Sequence, residues 1–447
     1  MTHTDSGRVS LLLGSLFGLA GMGSSSAAIA LPLIARDLGV GLGVAAWTIS
    51  LYALMLAVTT AVYGRVSDLV GVRIPLAVGI GLMTGGALVA ALAPSYAVLL
   101  VARLVQGAGA AAVPTLGVAV LSARYDGQAR GLAFGRLAGT AAAISCLGPL
   151  AGGLVEHAFG WRAVMAIPIL GVLVVPFVWK ALTGEGTGAR LDVLGAVLVA
   201  LTAAGLVLVV QSPSTGLVVA LVGITLMVLG GPAVTLRVRQ RPHGFLPMSV
   251  IRNATVVRSA LAAAAVPAAW FALLIAVPAV LVHSGWEPWQ VGLALLPSAV
   301  VAFLTPRVAG PLLSRIGPPL SLAVAGVGAS VALVIAAVGA WLVSAPVLVL
   351  AVILVNVAFG LGQPALSASV GEAADDDVRG VALGIATLIF LVGGSVGSAV
   401  VGGLGDVVGV DVSLALLAAL PVLGLVALAP QLRRAPEELA VRADEAA

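Results

Sequence analysis

Fourteen apolar runs, each about 20 residues long and bounded by glycine, proline or charged residues, dominate this chain of 447 residues. A helix needs about 20 apolar residues to cross the hydrocarbon core of a bilayer. The chain is 61% hydrophobic and 9% charged, too little polar surface to cover a core in water. The sequence therefore predicts an all-α polytopic membrane protein. The predicted helices lie near residues 11–34, 44–63, 74–93, 97–121, 131–155, 162–179, 193–210, 217–236, 255–282, 290–309, 319–342, 345–369, 380–403 and 411–430.

The basic residues are distributed unevenly between the two sides of this predicted topology. Of the 22 arginine and lysine residues, 19 fall on the side of the amino terminus, whereas only Arg36 and Arg162 fall on the opposite side and Arg103 lies within a helix. Cytoplasmic loops of membrane proteins carry such an excess of positive charge. Both termini are therefore predicted to be cytoplasmic, and the net charge of +4 needs no nucleic-acid partner.

Short motifs of the first half recur in the second half at nearly one offset. GRVSDLVGVR matches GPLLSRIGPP at an offset of 246, RGLAFG matches RGVALG at 249, and Pro114 matches Pro364 at 250. Six helices with their loops would give an offset of only roughly 190 to 200 residues. The excess predicts two further helices between two repeated halves.

The repeat divides the chain into six predicted segments. These are a cytoplasmic amino terminus (1–10), an amino-terminal six-helix bundle (11–180), two inserted transmembrane helices (191–236), a cytoplasmic linker (237–254), a carboxy-terminal six-helix bundle (255–430) and a cytoplasmic tail (431–447).

The stretch GRVSDLVGVR concentrates charge between the second and third predicted helices. A carboxylate at the cytoplasmic end of one helix can pair with arginines, or cap the amino terminus of a helix in the other half, and so close an inner gate. Asp68 is the predicted acceptor, Arg73 and Arg130 are the predicted donors, and Gly64 and Gly71 frame the turn. The alternative is a solvated turn between two spans.

Polar residues within the fourth predicted helix are candidates for the transport pathway. An arginine in hydrocarbon costs about 3 kcal/mol or more unless it is paired, so Arg103 is predicted to tune a proton site or to bind an anionic group; the alternative is a side chain that snorkels to the interface. Gln106 shares its helix face. At the repeat offset Gln106 corresponds to Asn356, and Gln363 follows seven residues later. Such matching amides predict two walls of one midplane cavity, or else bonds between helices.

The fifth predicted helix carries a run of small residues. Gly135, Gly148, Pro149, Gly152 and Gly153 lie along it. Glycine lets a neighbouring helix approach closely, and proline removes one backbone hydrogen bond and bends the span. The pattern predicts a pliable contact between the two halves, with ordinary close packing as the alternative.

In their order and spacing these motifs resemble the Major Facilitator Superfamily, and within it the 14-helix drug:proton antiporters that include tetracycline and quaternary-ammonium exporters. GRVSDLVGVR is similar to GxxxDxxGxR, RLVQGAGAA to RxxQGxGAA, and GPLAGG to the antiporter motif GPxxGG. The resemblance implies two six-helix bundles with two inserted helices, alternating access, and export rather than uptake. It further implies a monomer in a bacterial inner membrane, with protons as coupling ion and no cofactor or metal.

The acidic residues depart from this family pattern. All 18 fall in or near loops, whereas a proton antiporter uses a group that titrates within the membrane. The helix-one aspartate position of the family is Gly23 here, and the helix-five glutamate of tetracycline exporters is Ser145. We therefore hypothesise that Asp37, near the outer end of helix one, couples to protons and that Arg103 lowers its proton affinity. The absence of acid argues against dications and tetracycline–metal chelates as substrates.

Aromatic residues in the second and ninth helices complete the candidate pathway. Trp47, Tyr52 and Trp270 are predicted to form a wall for a hydrophobic substrate, with packing or interface anchoring as the alternative. The predicted function is a secondary active exporter of amphipathic small molecules. An exporter or importer of one polar or anionic metabolite, coupled in another way, is the alternative. The sequence contains no phosphate-binding loop, metal-ligand motif or catalytic triad pattern, so no enzyme is predicted.

Overall fold

A computed structural model describes residues 4–125, 127–179, 182, 192–242, 244–374 and 379–433. These residues contain fourteen helices long and apolar enough to cross a membrane, as the sequence predicted. Because the number of these spans is even, Gly7 at the start of the first span and Leu432 at the end of the last lie on one side, which the excess of arginine marks as the cytoplasmic side. In chain order the spans are α1 Gly7–Asp37, α2 Leu42–Ser67, α3 Arg73–Ala91, α4 Tyr96–Ser122, α5 Leu132–Phe159, α6 Trp161–Val178, α7 Val193–Thr215, α8 Leu217–Gln240, α9 Ala254–His283, α10 Pro288–Ile316, α11 Pro318–Trp341, α12 Ala345–Ala373, α13 Arg379–Val408 and α14 Val410–Leu432.

The end of the tenth helix is the largest error in the predicted boundaries. The helix was predicted to end near residue 309, but it continues to Ile316 through two internal prolines. Arg307 does not break it, because its side chain is exposed and its guanidinium lies 5.0 Å from the ring centre of Phe303. Prolines in membrane helices bend a span without ending it when neighbouring helices satisfy the freed backbone groups.

Backbone geometry supports the internal repeat. Gly71 after α2 and Gly317 after α10 have nearly the same positive φ, 75° and 77°. Gly160 and Gly409, which separate α5 from α6 and α13 from α14, form a second pair, at 78° and 93°. Glycine adopts this conformation at no steric cost, so α1–α6 and α9–α14 reuse the same turns at corresponding places.

The two inserted helices, α7 and α8, differ in their surroundings. They pack on each other where Gly205 and Gly223 meet, since a Cβ on either would lie 2.8 Å from the carbonyl oxygen of the other. Helix α7 also packs against α13. By contrast, only 11% of the most apolar stretch of α8 is buried, so α8 presents most of its surface to lipid.

Candidate transport pathway

A cavity of about 490 Å³ lies between the two halves. Its walls come from α1 and α5 of the first half and from α9, α10 and α12 of the second. Of the described residues that line it, none is charged and most are apolar. Three predicted pathway residues, Ser145, Trp270 and Asn356, line this cavity, as does Pro149 of the helix-five motif. The other polar or sulfur-bearing lining residues are Ser25, Cys146 and Ser298.

Asn356 orients the indole of Trp270 at the cavity wall. Its Oδ1 accepts a hydrogen bond of 2.8 Å from Trp270 Nε1, and its Nδ2 donates to the carbonyl oxygen of Ser298 at 3.5 Å. The indole also meets the ring of Phe271 edge to face at 4.9 Å. The amide and the indole are therefore held together as one amphipathic surface.

Only Trp270 of the predicted aromatic wall reaches the cavity. Trp47 is buried against α7 and α13, in a cluster with Val207 and Ala399. Tyr52 lies inside the first half and donates to the carbonyl oxygen of Ala20 at 2.8 Å. Both rings serve packing, because the residues around them belong to the helical core.

Arg103 is fully buried and ties three helices of the first half together. Its Nε donates to the carbonyl oxygen of Thr48 on α2 at 2.9 Å. Its Nη1 donates to the carbonyl oxygen of Gly23 on α1 at 3.0 Å and to Gln106 Oε1 at 2.7 Å. The guanidinium carbon lies 4.2 Å from the centre of the Tyr52 ring, a cation–π contact. The snorkelling alternative is wrong, because no part of the side chain reaches water.

Arg103 and Gln106 do not line the central cavity. Arg103 Nη2 and Gln106 Nε2 have no accessible surface and no hydrogen-bond partner among the described residues. A ligand in the cavity therefore cannot reach them in this conformation. Of the two matching amides, only Asn356 faces the space between the halves. Gln363, further along α12, is exposed but is not among the lining residues.

Gly23 stands where the family resemblance places a carboxylate. A Cβ at this position would lie 3.0 Å from Pro168 Cγ, 3.5 Å from Gln106 Nε2 and 3.7 Å from the Tyr52 hydroxyl. The space beside Arg103 is therefore already filled by neighbouring side chains. The guanidinium relies on carbonyl oxygens and an aromatic face in place of an acid.

Arg103, which was hypothesised to lower the proton affinity of Asp37, is not the arginine that pairs with it. Asp37 Oδ2 accepts hydrogen bonds of 2.8 Å from Trp161 Nε1 and from Arg162 Nη1. This ion pair is about half exposed at the outer end of α1. Gly23, whose carbonyl binds Arg103, lies 14 residues earlier, about 21 Å along the helix. The cation beside Asp37 is thus Arg162.

The helix-five glycines differ in their neighbours. Gly148 and Gly152 pack against Ser25 and Ser26 of α1, within the first half. Gly153 meets the second half, since a Cβ there would lie 2.6 Å from the carbonyl oxygen of Pro288 on α10. Gly135, towards the cytoplasm, has no neighbouring atom within 4 Å of that position. The predicted contact between halves is therefore confined, among these glycines, to the outer end of α5.

The outer ends of α2 and α13 form a second contact between the halves. Asp406 on α13 accepts a hydrogen bond of 2.8 Å from the backbone N–H of Gly43, in the first turn of α2. It therefore caps that helix from the opposite half, with its charge at the positive end of the helix dipole. Gln211 of α7 donates to the carbonyl oxygen of Gly43 at 3.0 Å, and the hydroxyls of Ser50 and Ser398 lie 2.9 Å apart. No sequence motif marked Asp406 or Gln211.

Comparison with known proteins identifies this architecture. The family model described as Major Facilitator Superfamily matches residues 13–398. The chain belongs to this superfamily. Its members are carriers, and no catalytic family is indicated.

Similar proteins add detail to the family assignment. The chain is 31% identical over 302 residues to multidrug resistance protein Stp of Mycobacterium tuberculosis (strain CDC 1551 / Oshkosh), covering 65% of this chain and 55% of that protein. It is 25% identical over 408 residues to the uncharacterized MFS-type transporter YvkA of Bacillus subtilis (strain 168), covering 88% and 89%. A crystal structure of a POT family transporter in complex with 5-aminolevulinic acid superposes with a TM-score of 0.70 at 12% identity, covering 96% of each chain. The last comparison establishes the fold alone.

The predicted pairing of Asp68 with Arg73 and Arg130 is called the latch here. The described cytoplasmic arginines of this superfamily member make other contacts. Arg73 Nε donates to the carbonyl oxygen of Leu182, just after α6, at 2.7 Å. Arg65 Nη2 donates to the carbonyl oxygen of Gly244, in the segment between α8 and α9, at 3.1 Å. The side chains of Asp68 and Arg130 lie outside the described residues, so the latch stays a prediction.

Proposed function

We propose that this protein is a secondary active transporter that exports amphipathic small molecules, such as drugs and antibiotics, from bacteria. The uncharged cavity between the two halves carries the proposal. An apolar wall with one amide, one indole N–H and a few hydroxyls suits a neutral amphipathic molecule, because an unpaired charge would lose its hydration there. The resemblance of α5 to antiporter motifs supports export. The similarity to a multidrug resistance protein, Stp, also supports it.

The contacts at the outer ends of the halves support alternating access. Gly153 against Pro288 and Gly43 against Asp406 close the cavity towards the outside. In the proposed cycle these contacts break, the halves rock about the cavity, and the substrate is released outside. The protein is proposed to act as a monomer in the bacterial inner membrane.

Cys146 provides a direct test of substrate binding, because it is the single cysteine and lines the cavity. We expect a membrane-permeant maleimide to label it, and a transported lipophilic dye to slow this labelling at least about threefold, since the bound dye covers the thiol. Labelling is measured by mass spectrometry, and dye efflux in vesicles with an imposed pH gradient. The Cys146→Ser variant controls for reagent effects on transport.

The same assay separates the proposal from its alternative. Dye efflux with protection of Cys146 supports an exporter of amphipathic molecules. Indifference to dyes, with transport of one polar or anionic metabolite, would contradict the proposal and support the alternative. The anionic form of that alternative finds no cation among the described residues of the cavity wall.

Proton coupling is proposed to involve Asp37. We expect Asp37→Asn to abolish proton-driven efflux while downhill substrate exchange continues, because the variant keeps a hydrogen-bonding side chain but cannot release a proton. Substrate-dependent proton flux in vesicles measures the effect. Asp411→Asn is the matched control, since it removes an outer carboxylate in the first turn of α14, and Asp406→Asn tests the carboxylate at the contact between the halves. Proton flux that survives in Asp37→Asn but is lost in Asp406→Asn would move the coupling group to the contact between the halves.

A further inference from the structure

A second cavity, of about 200 Å³, lies at the cytoplasmic ends of the two inserted helices. Val199 of α7, together with Val234 and Val238 of α8, forms an apolar wall, which Phe245 and Leu246 of the following segment complete. It is separate from the central cavity, because the two share no lining residue. The outer face of α8 is exposed and apolar along its length, so this cavity lies beside the lipid of the cytoplasmic leaflet.

The carboxylate in this cavity, Asp192, is ionised and its charge is balanced by Arg237. Asp192 Oδ1 accepts hydrogen bonds from Arg237 Nη2 at 2.6 Å and Nε at 3.0 Å, and from the N–H of Gly195 at 3.1 Å. Its Oδ2 accepts from the N–H of Phe245 at 3.2 Å. Burial opposes ionisation, but these hydrogen bonds and the charge of Arg237 together hold the pKa of Asp192 below its usual value. Asp192 and Arg237 therefore form a neutral pair at cytoplasmic pH.

Among the described residues that line this cavity, Arg241 is the remaining cation. It lines the cavity, and its guanidinium contacts no acceptor in the described part of the chain. Its backbone is held in a turn in which the N–H of Gly244 donates to the Arg241 carbonyl oxygen at 2.8 Å, and its side chain is exposed. A single cation above an apolar wall at the bilayer surface is complementary to a phosphodiester with attached acyl chains.

We propose that this cavity binds one anionic glycerophospholipid of the cytoplasmic leaflet, with its phosphate on Arg241 and an acyl chain against Val199, Val234 and Val238. The site is independent of the transported substrate. It depends on the helices that distinguish this chain from a twelve-helix carrier.

Purified full-length protein in nanodiscs provides the test. We expect phosphatidylglycerol to raise the Tm above its value in phosphatidylcholine, and native mass spectrometry to retain one phosphatidylglycerol more tightly than the rest. Arg241→Gln should weaken that retention about fivefold, as expected for loss of one arginine–lipid contact. Arg239→Gln is the matched control, because Arg239 is exposed on the same helix end but does not line the cavity.

The outcomes distinguish a specific lipid site from general attraction of anionic lipid to the charged surface. Equal losses in Arg241→Gln and Arg239→Gln, or no preference for phosphatidylglycerol, would overturn the proposal. Stabilisation by soluble glycerol phosphate alone would also overturn it, because the acyl wall would then contribute nothing. If Arg241→Gln fails to fold, Val234→Phe, which fills the apolar part and keeps every charge, should displace the retained lipid; full retention in that variant would contradict the site.

Discussion

Replacing Gly153 by leucine should abolish transport by preventing closure towards the outside. A Cβ at this position would lie 2.6 Å from both the Pro288 carbonyl oxygen and Trp289 Cα, so backbone atoms of the other half would have to move away. A clash of this kind, present in one state and relieved in the other, shifts the population towards the outward-open form. We expect at least about a tenfold loss of efflux, because the cycle needs both states.

Cys146 reports the direction of this shift. In Gly153→Leu, a membrane-impermeant thiol reagent added from outside should label Cys146 faster than in the wild type, since the outer contact is held open. Gly135→Leu is the matched control on the same helix, because no atom lies within 4 Å of its Cβ position. Slow external labelling of a well-inserted, inactive Gly153→Leu protein would contradict the role of this contact.

Replacing Arg103 by alanine should abolish efflux and lower the Tm. The change removes the hydrogen bonds that the charged guanidinium donates to the carbonyl oxygens of Thr48 and Gly23, and each such bond contributes about 1.5–3 kcal/mol. It also removes the cation from the Tyr52 ring and leaves a cavity where α1, α2 and α4 meet. Because α1 lines the central cavity through Ser25, loosening it should disturb the proposed substrate site at a distance.

The amount of membrane-inserted protein and its Tm distinguish loss of function from loss of folding. Membrane-inserted Arg103→Ala protein is quantified beside a thermal melt. Arg36→Ala serves as the control, because it removes an exposed arginine from the last turn of α1. Unchanged efflux and Tm in Arg103→Ala would show that the hydrogen bonds contribute nothing to the first half. A normal Tm with lost efflux would favour a direct part in the pathway.

Patterns local in sequence predicted most of the fold. Hydropathy fixed the number of spans, and the repeat separated α7 and α8 from the two halves, because both signals depend on stretches of about 20 residues. The end of α10 was missed since Pro306, Arg307 and Pro311 look like a loop in sequence. Whether proline ends or bends a helix depends on the neighbours that satisfy the backbone.

The candidate site was predictable only in part. Ser145, Trp270 and Asn356 were expected in the pathway and line the cavity, because polar or amphipathic residues in a membrane helix turn away from lipid. Arg103 was singled out for the same reason, yet its partners are carbonyl oxygens that no sequence pattern reveals. The contact of Asp406 with Gly43 joins residues 363 positions apart, and neither belongs to a motif.

The position of α7 changes how the extra pair of helices should be regarded. Gln211 holds the start of α2, and Gly403 of α13 lies so close that a Cβ would come within 2.5 Å of the Val210 carbonyl oxygen. Helix α7 therefore contacts both halves at their outer ends. Deleting α7 and α8 to leave twelve helices would remove these contacts between the outer ends of the halves. We expect such a variant to let ions leak across the membrane during the transport cycle.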